Sequence, residues 1–158
     1  MLRAVFPGSF DPPTFGHLNI IERASSIFDE FIVVVADNRG KKYLFSRDER
    51  VALLEELVKR RKNVSVAYCD SLIVEFMKKL QIRVLVRGVR GANDFAYEFD
   101  LSMMNRALDS GIETIFMTTD PAYFVLRSSA IKELASFHGD VSAMVPAPVA
   151  AALGEKYR

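Results

Sequence analysis

His17 has the plainest capacity for chemistry in this sequence, and it closes the stretch Phe6-Pro7-Gly8-Ser9-Phe10-Asp11-Pro12-Pro13-Thr14-Phe15-Gly16-His17. Thr14 and His17 are three apart, so in a first helical turn they share one side. A hydroxyl, an imidazole, free backbone N–H groups and the positive end of the helix dipole then point the same way. That combination is an anion site, and phosphate is the obvious anion. A lone Gly-His pair would read instead as a helix-start histidine packed on its own loop, with Gly8 and Gly16 serving turns. Context separates the two readings, because the phosphate site needs a strand before the stretch and a helix after it. Ala4-Val5-Phe6 supplies a short apolar strand, and Leu18 to Phe28 sets Ile20, Ile21, Ala24, Ile27 and Phe28 at helical spacing. The prolines at 12 and 13 keep the chain extended before them and let a helix begin just after.

Three further segments carry groups suited to anions. Lys41 lies in a polar loop, Asp37 to Leu44, beside Gly40 and Lys42; from spacing alone the two lysines read as a solvated pair. Arg87-Gly88-Val89-Arg90-Gly91 puts two arginines around a glycine, which can hold phosphates bidentately while the backbone comes close. A basic turn at a strand end is the common alternative. Leu126-Arg127-Ser128-Ser129-Ala130-Ile131-Lys132 has two hydroxyls at a helix start, which bind phosphate or, more commonly, cap the helix. Arg127 opposes the helix dipole there unless an anion is near. It either reaches that anion, or turns to solvent or an acidic partner.

The elements that must position these groups follow from periodicity. Phe31 to Ala36 is a continuous β-branched run, of the kind found in strands buried on both faces of a parallel sheet. Ser46 and Glu49 form a capping box ahead of a helix with Val51, Leu54, Leu57 and Val58 on one stripe. Val64 to Tyr68 is a third strand, Ser71 to Leu80 a helix, and Val84 to Val86 a fourth strand. Asp94 to Leu108 is a long helix with two apolar stripes, Phe95-Phe99-Met103-Ala107 and Leu101-Met104-Leu108, and so calls for two partners. Thr114 to Met117 is a fifth strand. A helix from about Ala130 to Phe137 is stopped by Gly139, and short helices over Asp140–Met144 and Pro148–Tyr157 end the chain. Strand and helix alternate throughout, which predicts one α/β, Rossmann-like domain over 1–158: a five-stranded, mostly parallel sheet flanked by helices. In such a sheet the ligand sits outside the carboxyl ends of the strands, where the four segments would converge. Neither the glycine-rich dinucleotide fingerprint nor a P-loop is present.

Composition narrows the partners. The 158 residues carry a net charge of +1, so no general polyanion field is implied and no nucleic-acid partner is expected. The single cysteine, Cys69, excludes an internal disulfide framework and reads as a small buried hydrophobe. Pro7, Gly8 and Asp11 break the first apolar run, so no signal-peptide layout is read there, and no stretch suits a bilayer. A cytoplasmic location without a membrane partner is the expectation.

Thr14-Phe15-Gly16-His17 resembles the Thr/His-x-Gly-His signature of the nucleotidylyltransferase superfamily. Within it the chain looks like the bacterial phosphopantetheine adenylyltransferases nearly end to end. The likeness covers Pro7 to Pro12, Phe45 to Val51, the Arg87–Arg90 turn, Asp94-Phe95, Tyr97-Glu98, Met104-Asn105-Arg106, Ser128-Ser129, Gly139-Asp140-Val141 and Val145-Pro146. The resemblance implies an enzyme joining ATP to 4′-phosphopantetheine to give dephospho-CoA and pyrophosphate with Mg²⁺. It also implies a homohexamer and feedback binding of coenzyme A. Carried over by motif, His17, Lys41 and Arg90 are catalytic; Ser9, Lys41, Ile73 and Arg87 bind phosphopantetheine. Ser9, Phe10, His17, Gly88, Val89, Arg90, Glu98 and the run Tyr123, Phe124, Val125, Leu126, Arg127, Ser128, Ser129 surround ATP. No protein metal ligands are expected. Ser9 stands where threonine is frequent, and Arg127 where the family has a small serine. The rivals are a nicotinate-mononucleotide or glycerol-phosphate nucleotidylyltransferase and a non-catalytic nucleotide-binding module.

Overall fold

The computed structural model describes all 158 residues. Its elements are β1 (Arg3–Gly8), α1 (Phe15–Ser25), β2 (Glu30–Ala36), α2 (Arg47–Val58), β3 (Val64–Cys69), α3 (Ile73–Leu80), β4 (Val84–Val89), α4 (Ala92–Leu108), β5 (Glu113–Thr118), α5 (Ser128–Ser136) and α6 (Ala147–Lys156). A 3-10 turn, Pro121–Tyr123, precedes α5. The five strands form one parallel sheet in the order β3-β2-β1-β4-β5. From β1 the chain winds one way through β2 and β3, then crosses back to β4 and β5. The seam between β1 and β4 is therefore the switch point.

Pro7 opens that seam. β1 pairs with β2 as far as Gly8, but with β4 only at Ala4 and Val5. Proline has no N–H to extend the ladder. The freed Pro7 carbonyl instead accepts a hydrogen bond from Arg87 Nη1 on β4. The strands thus part where the site segments arrive.

Alternation along the strands builds a core on each face of the sheet. Phe6, Phe31, Val33 and Val86 pack with Ile20, Ile21, Ala24 and Leu54 from α1 and α2. Val5, Ile32, Val34 and Leu85 pack with Val74 and Met77 of α3 and with Ile112. Cys69 is buried in this second core. A third cluster lies outside the sheet, where Phe45, Ile131, Ala135, Val145, Val149 and Leu153 join α5 and α6 to the start of α2. No helix is long and apolar enough to cross a membrane.

Several local expectations change. Asp140–Met144 is a single turn, with Met144 and Val145 N–H both donating to the Val141 carbonyl, and Pro146 caps the next helix before a second turn can form. α3 begins at Ile73 rather than Ser71, because Leu72 is extended and has no side-chain cap to offer. The last helix starts at Ala147, with Pro148 in its first turn. α4 buries no residue: one side meets β4 and β5, where Phe95 sets its ring edge on Phe116 at 5.1 Å, while Phe99, Met103, Met104 and Leu108 stay exposed.

α5 also ends differently. His138 adopts φ 58°, and its N–H bonds to the Ala135 carbonyl while Gly139 N–H bonds to that of Leu134. This is the paired hydrogen-bond pattern that usually has glycine at the left-handed residue. Here histidine takes that conformation, and Gly139 is required for space, since a Cβ there would lie 2.2 Å from Leu134 Cδ1 and 3.0 Å from its carbonyl oxygen. Replacing His138→Gly should therefore stabilise the protein by about 1 kcal/mol. Gly139→Ala should destabilise it by ~1–3 kcal/mol. Urea unfolding of both variants checks the pair; the opposite order would reverse the assignment.

Candidate active site

The turn after β1 is shaped by backbone and buried side chains together. Phe10 takes φ 49° and is buried, its ring edge-on to Phe6 at 5.6 Å and to His17 at 4.9 Å. A Cβ on Gly8 would lie 3.0 Å from that ring, so glycine permits the approach. The Asp11–Pro12 peptide is cis. Asp11 is buried and accepts three hydrogen bonds, from Leu44 N–H and Phe45 N–H at 2.9 Å and from Lys132 Nζ at 2.7 Å. One carboxylate therefore holds the turn to the entrance of α2 and to α5. Ser128 adds a tie, its hydroxyl donating to the Pro12 carbonyl.

Thr14 and His17 do share the first turn of α1. Thr14 is the N-cap, its hydroxyl accepting His17 N–H, and its own N–H donates to His17 Nδ1 at 3.0 Å. The imidazole fills the place that glutamate holds in an ordinary capping box. Because Nδ1 accepts from the backbone, the neutral ring carries its proton on Nε2. One edge of His17 is open to the cleft and protein encloses the rest. Burial, then the charges of Arg90 and Arg87, push its pKa down from 6.5 to about 4. At neutral pH it is an uncharged donor.

Around this turn lies a cleft of about 570 Å³, lined by six cationic side chains, Lys41, Lys42, Arg87, Arg90, Arg127 and Lys132, against three carboxylates, Asp11, Asp94 and Glu98. The carboxylates are all engaged. Arg87 grips Glu98 through Nε and Nη2, both at 2.6 Å. Arg90 pairs with Asp94 at 2.7 Å and donates to the Leu126 carbonyl at 3.1 Å. The Arg90 hydrogen bonds hold Asp94 below the usual carboxylate range, and the charge of Arg127 adds to this. Lys41, Lys42 and Arg127 form no ion pair, so the surplus positive charge of the cleft lies on these three side chains. Arg127 is the N-cap of α5 and gives it no side-chain cap, which leaves the first N–H groups of that helix free.

Thirteen of the residues selected from the sequence line this cleft: Ser9, Phe10, His17, Lys41, Arg87, Gly88, Arg90, Glu98, Tyr123, Leu126, Arg127, Ser128 and Ser129. Four do not. Val89 is buried at the end of β4. Phe124 and Val125 are exposed beyond the 3-10 turn. Ile73 packs on the α3 core. The alternative of an acidic partner for Arg127 is excluded within this chain, because no carboxylate pairs with it. Asp11, Asp94 and Lys132 were not singled out. The signals were there in spacing: Asp94 follows Arg90 by one helical turn, and Lys132 follows Ser128 by one turn on the same face.

The depressed His17 pKa fixes a sign. As pH falls below about 6.5 the unfolded chain takes up a proton that the folded chain refuses until about 4, so acid favours unfolding. The loss runs through that window and is absent above it. His17→Gln should lose less stability than the wild type between pH 6.5 and 4, read from denaturant midpoints. Arg90→Ala should raise the His17 pKa, read by NMR titration; an unmoved value would remove Arg90 as a cause.

The cytidylyltransferase-like family model matches residues 5–134. A phosphopantetheine adenylyltransferase of Treponema pallidum is 51% identical over 156 residues, covering 99% of this chain and 98% of that protein. Enzymes of the same name from Caldanaerobacter subterraneus subsp. tengcongensis and Dictyoglomus thermophilum are 46% and 44% identical, each covering at least 96% of both chains. Among solved structures, a protein assigned as a nicotinate-nucleotide adenylyltransferase from Vibrio parahaemolyticus superposes with TM-score 0.70 over 99% of this chain and 95% of its own, at 18% identity. That likeness is one of fold. The sequence likeness goes further: the chain belongs to the cytidylyltransferase-like family and, within it, to the phosphopantetheine adenylyltransferases.

Proposed function

We propose that this chain transfers the adenylyl group of ATP to 4′-phosphopantetheine, forming dephospho-CoA and releasing pyrophosphate. The observation that carries the reading is the cleft at the β1–β4 seam, where six cations face three engaged carboxylates and no free carboxylate stands as a base. The acceptor is already a phosphate anion, so the reaction needs no general base. Its oxygen attacks the α-phosphorus in line, a new P–O bond forms, and the bond to the β-phosphate's bridging oxygen breaks. Positioning and charge stabilisation do the work.

Roles divide by element. Lys41 and Arg87 hold the acceptor phosphate, and Ile73 meets the pantetheine arm beyond it. Ser9, Phe10 and the Gly88–Arg90 turn hold the ATP phosphates with the free N–H groups at the start of α5. His17 donates its Nε2 proton, as a hydrogen bond, where charge builds. Arg87 and Arg90 reach phosphate by leaving Glu98 and Asp94. Both pairs lie at the wall of the cleft, where an incoming phosphate can take the carboxylate's place on each guanidinium. Hydrogen bonds to a phosphate anion are strong.

Magnesium carried by phosphate oxygens needs few protein ligands. It fits as part of the nucleotide, bound by phosphate oxygens. Self-association is supported by the exposed apolar face of α4, and coenzyme A, which shares the phosphopantetheine arm, is the feedback ligand of the same cleft.

Pyrophosphate release tests the reading, with ATP and phosphopantetheine, nicotinate mononucleotide or glycerol phosphate offered in turn. Turnover with phosphopantetheine alone is expected; preference for either other acceptor overturns it. Arg127 gives a second expectation. It is exposed, unpaired and at the helix start that faces the triphosphate. Arg127→Ser should weaken ATP binding by ~1–3 kcal/mol, the range for a hydrogen bond to a charged group. Acceptor affinity and the ligand-free melting temperature should not fall. Calorimetry with each ligand checks this, and unchanged ATP affinity would make Arg127 a bystander.

A further inference from the structure

Arg50 is 1% exposed, and no step above uses it. Its guanidinium joins three pieces of chain. Nη1 donates to the Ser9 carbonyl on the catalytic turn at 2.9 Å. Nη2 pairs with Asp37 Oδ1, at the head of the loop after β2. Its plane lies over the Tyr43 ring, at the foot of the same loop, 4.1 Å from the centroid. Lys41 sits between those two anchors. The loop closes on itself: Asn38 N–H donates to Tyr43 Oη at 2.6 Å, Gly40 N–H to Asn38 Oδ1 at 2.9 Å and Lys41 N–H to the Asn38 carbonyl at 3.0 Å. It is a small closed unit, and its two ends meet at one buried side chain. Lys41 itself has no ion partner and lines the cleft opposite Arg87 and Arg90.

We propose that Arg50 is a positioning residue for the transfer, setting the separation between Lys41 and the Ser9–Phe10 turn. This rests on Lys41 holding the acceptor phosphate. In-line attack needs the two phosphates at one fixed spacing, and a misplacement of about 1 Å costs on the order of 10²-fold in rate. Arg50 is suited to this because a planar fork reaches the Ser9 carbonyl and the Asp37 carboxylate at once while stacking on an aromatic ring. Lysine, a point charge, keeps the charge but not the span.

Four variants test it: Arg50→Lys, Lys41→Ala, the two combined, and Tyr43→Leu, which removes the stacked ring and the hydroxyl that Asn38 N–H donates to but leaves the Arg50–Asp37 ion pair. Each is assayed for kcat and for the KM of phosphopantetheine, with ATP affinity read by calorimetry. Arg50→Lys is expected to lose on the order of 10²-fold in kcat/KM for the acceptor, with ATP affinity within about twofold. Tyr43→Leu should move the acceptor KM the same way by less, and it carries the test if Arg50→Lys does not fold. The decisive result is the combination. If Arg50 acts through Lys41, adding Arg50→Lys to Lys41→Ala costs little more, since changes that share one pathway are not additive. Multiplying losses, an ATP affinity that falls in step with the acceptor's, or a wild-type acceptor KM in Tyr43→Leu each overturn the positioning role. A normal acceptor KM in Lys41→Ala instead removes Lys41 from the acceptor phosphate, a distinct result that overturns the assignment beneath it.

Discussion

A carboxylate that is 3% exposed has to be neutralised where it stands, and nearly everything about this site follows from how Asp11 meets that demand. Two backbone N–H groups and a lysine do it, and they come from two other parts of the chain. Asp11 therefore cannot be satisfied unless the turn after β1, the entrance to α2 and the helix α5 are all in register. The left-handed Phe10 and the neutral His17 are held inside that triangle. So is the third apolar cluster, since Phe45, whose N–H Asp11 accepts, is also one of its buried members. Removing one partner of such a group leaves the others with an uncompensated charge, which is why buried pairs bind segments more stringently than they stabilise them.

The same logic runs through the electrostatics of the cleft. The strongest cations are not left bare: Arg87 and Arg90 each rest against a carboxylate on α4. Burial first, and then their two charges, make a further positive charge on His17 unfavourable, so the neutral imidazole offers its N–H.

What the sequence made legible was local or periodic. The buried β2, the Ser46–Glu49 capping box and the Thr14–His17 turn each depend on residues close together in the chain, and each is present. Convergence of four segments followed from topology, because parallel strands bring their carboxyl ends to one edge. What stayed hidden depends on direction or on distance along the chain. Transfer by motif brought in Val89, Phe124, Val125 and Ile73 with their neighbours, although none of the four lines the cleft. Asp11 and Lys132 are 121 residues apart, and no spacing rule joins them. α4 reads as doubly apolar from its periodicity, but how much of that surface one chain can cover is a property of the fold. The sequence points to Gly139 rather than His138 because glycine is the commoner helix stop; what decides is which of the two the Leu134 side chain leaves room for.

Pro7 sits at the centre of the sheet and withholds one hydrogen-bond donor from it. An empty cleft between two parallel strands would ordinarily have somewhere to go, by zipping the ladder shut. Here the next rung cannot form, and the carbonyl that would face it is already taken by Arg87. Pro7 and Arg87 together hold the two strands apart at this point. Binding is thereby relieved of a conformational term, since no backbone bonds break on entry and little main-chain entropy is lost on closing. The heat of ligand capture in this fold should report side-chain exchange and desolvation, with the scaffold nearly silent.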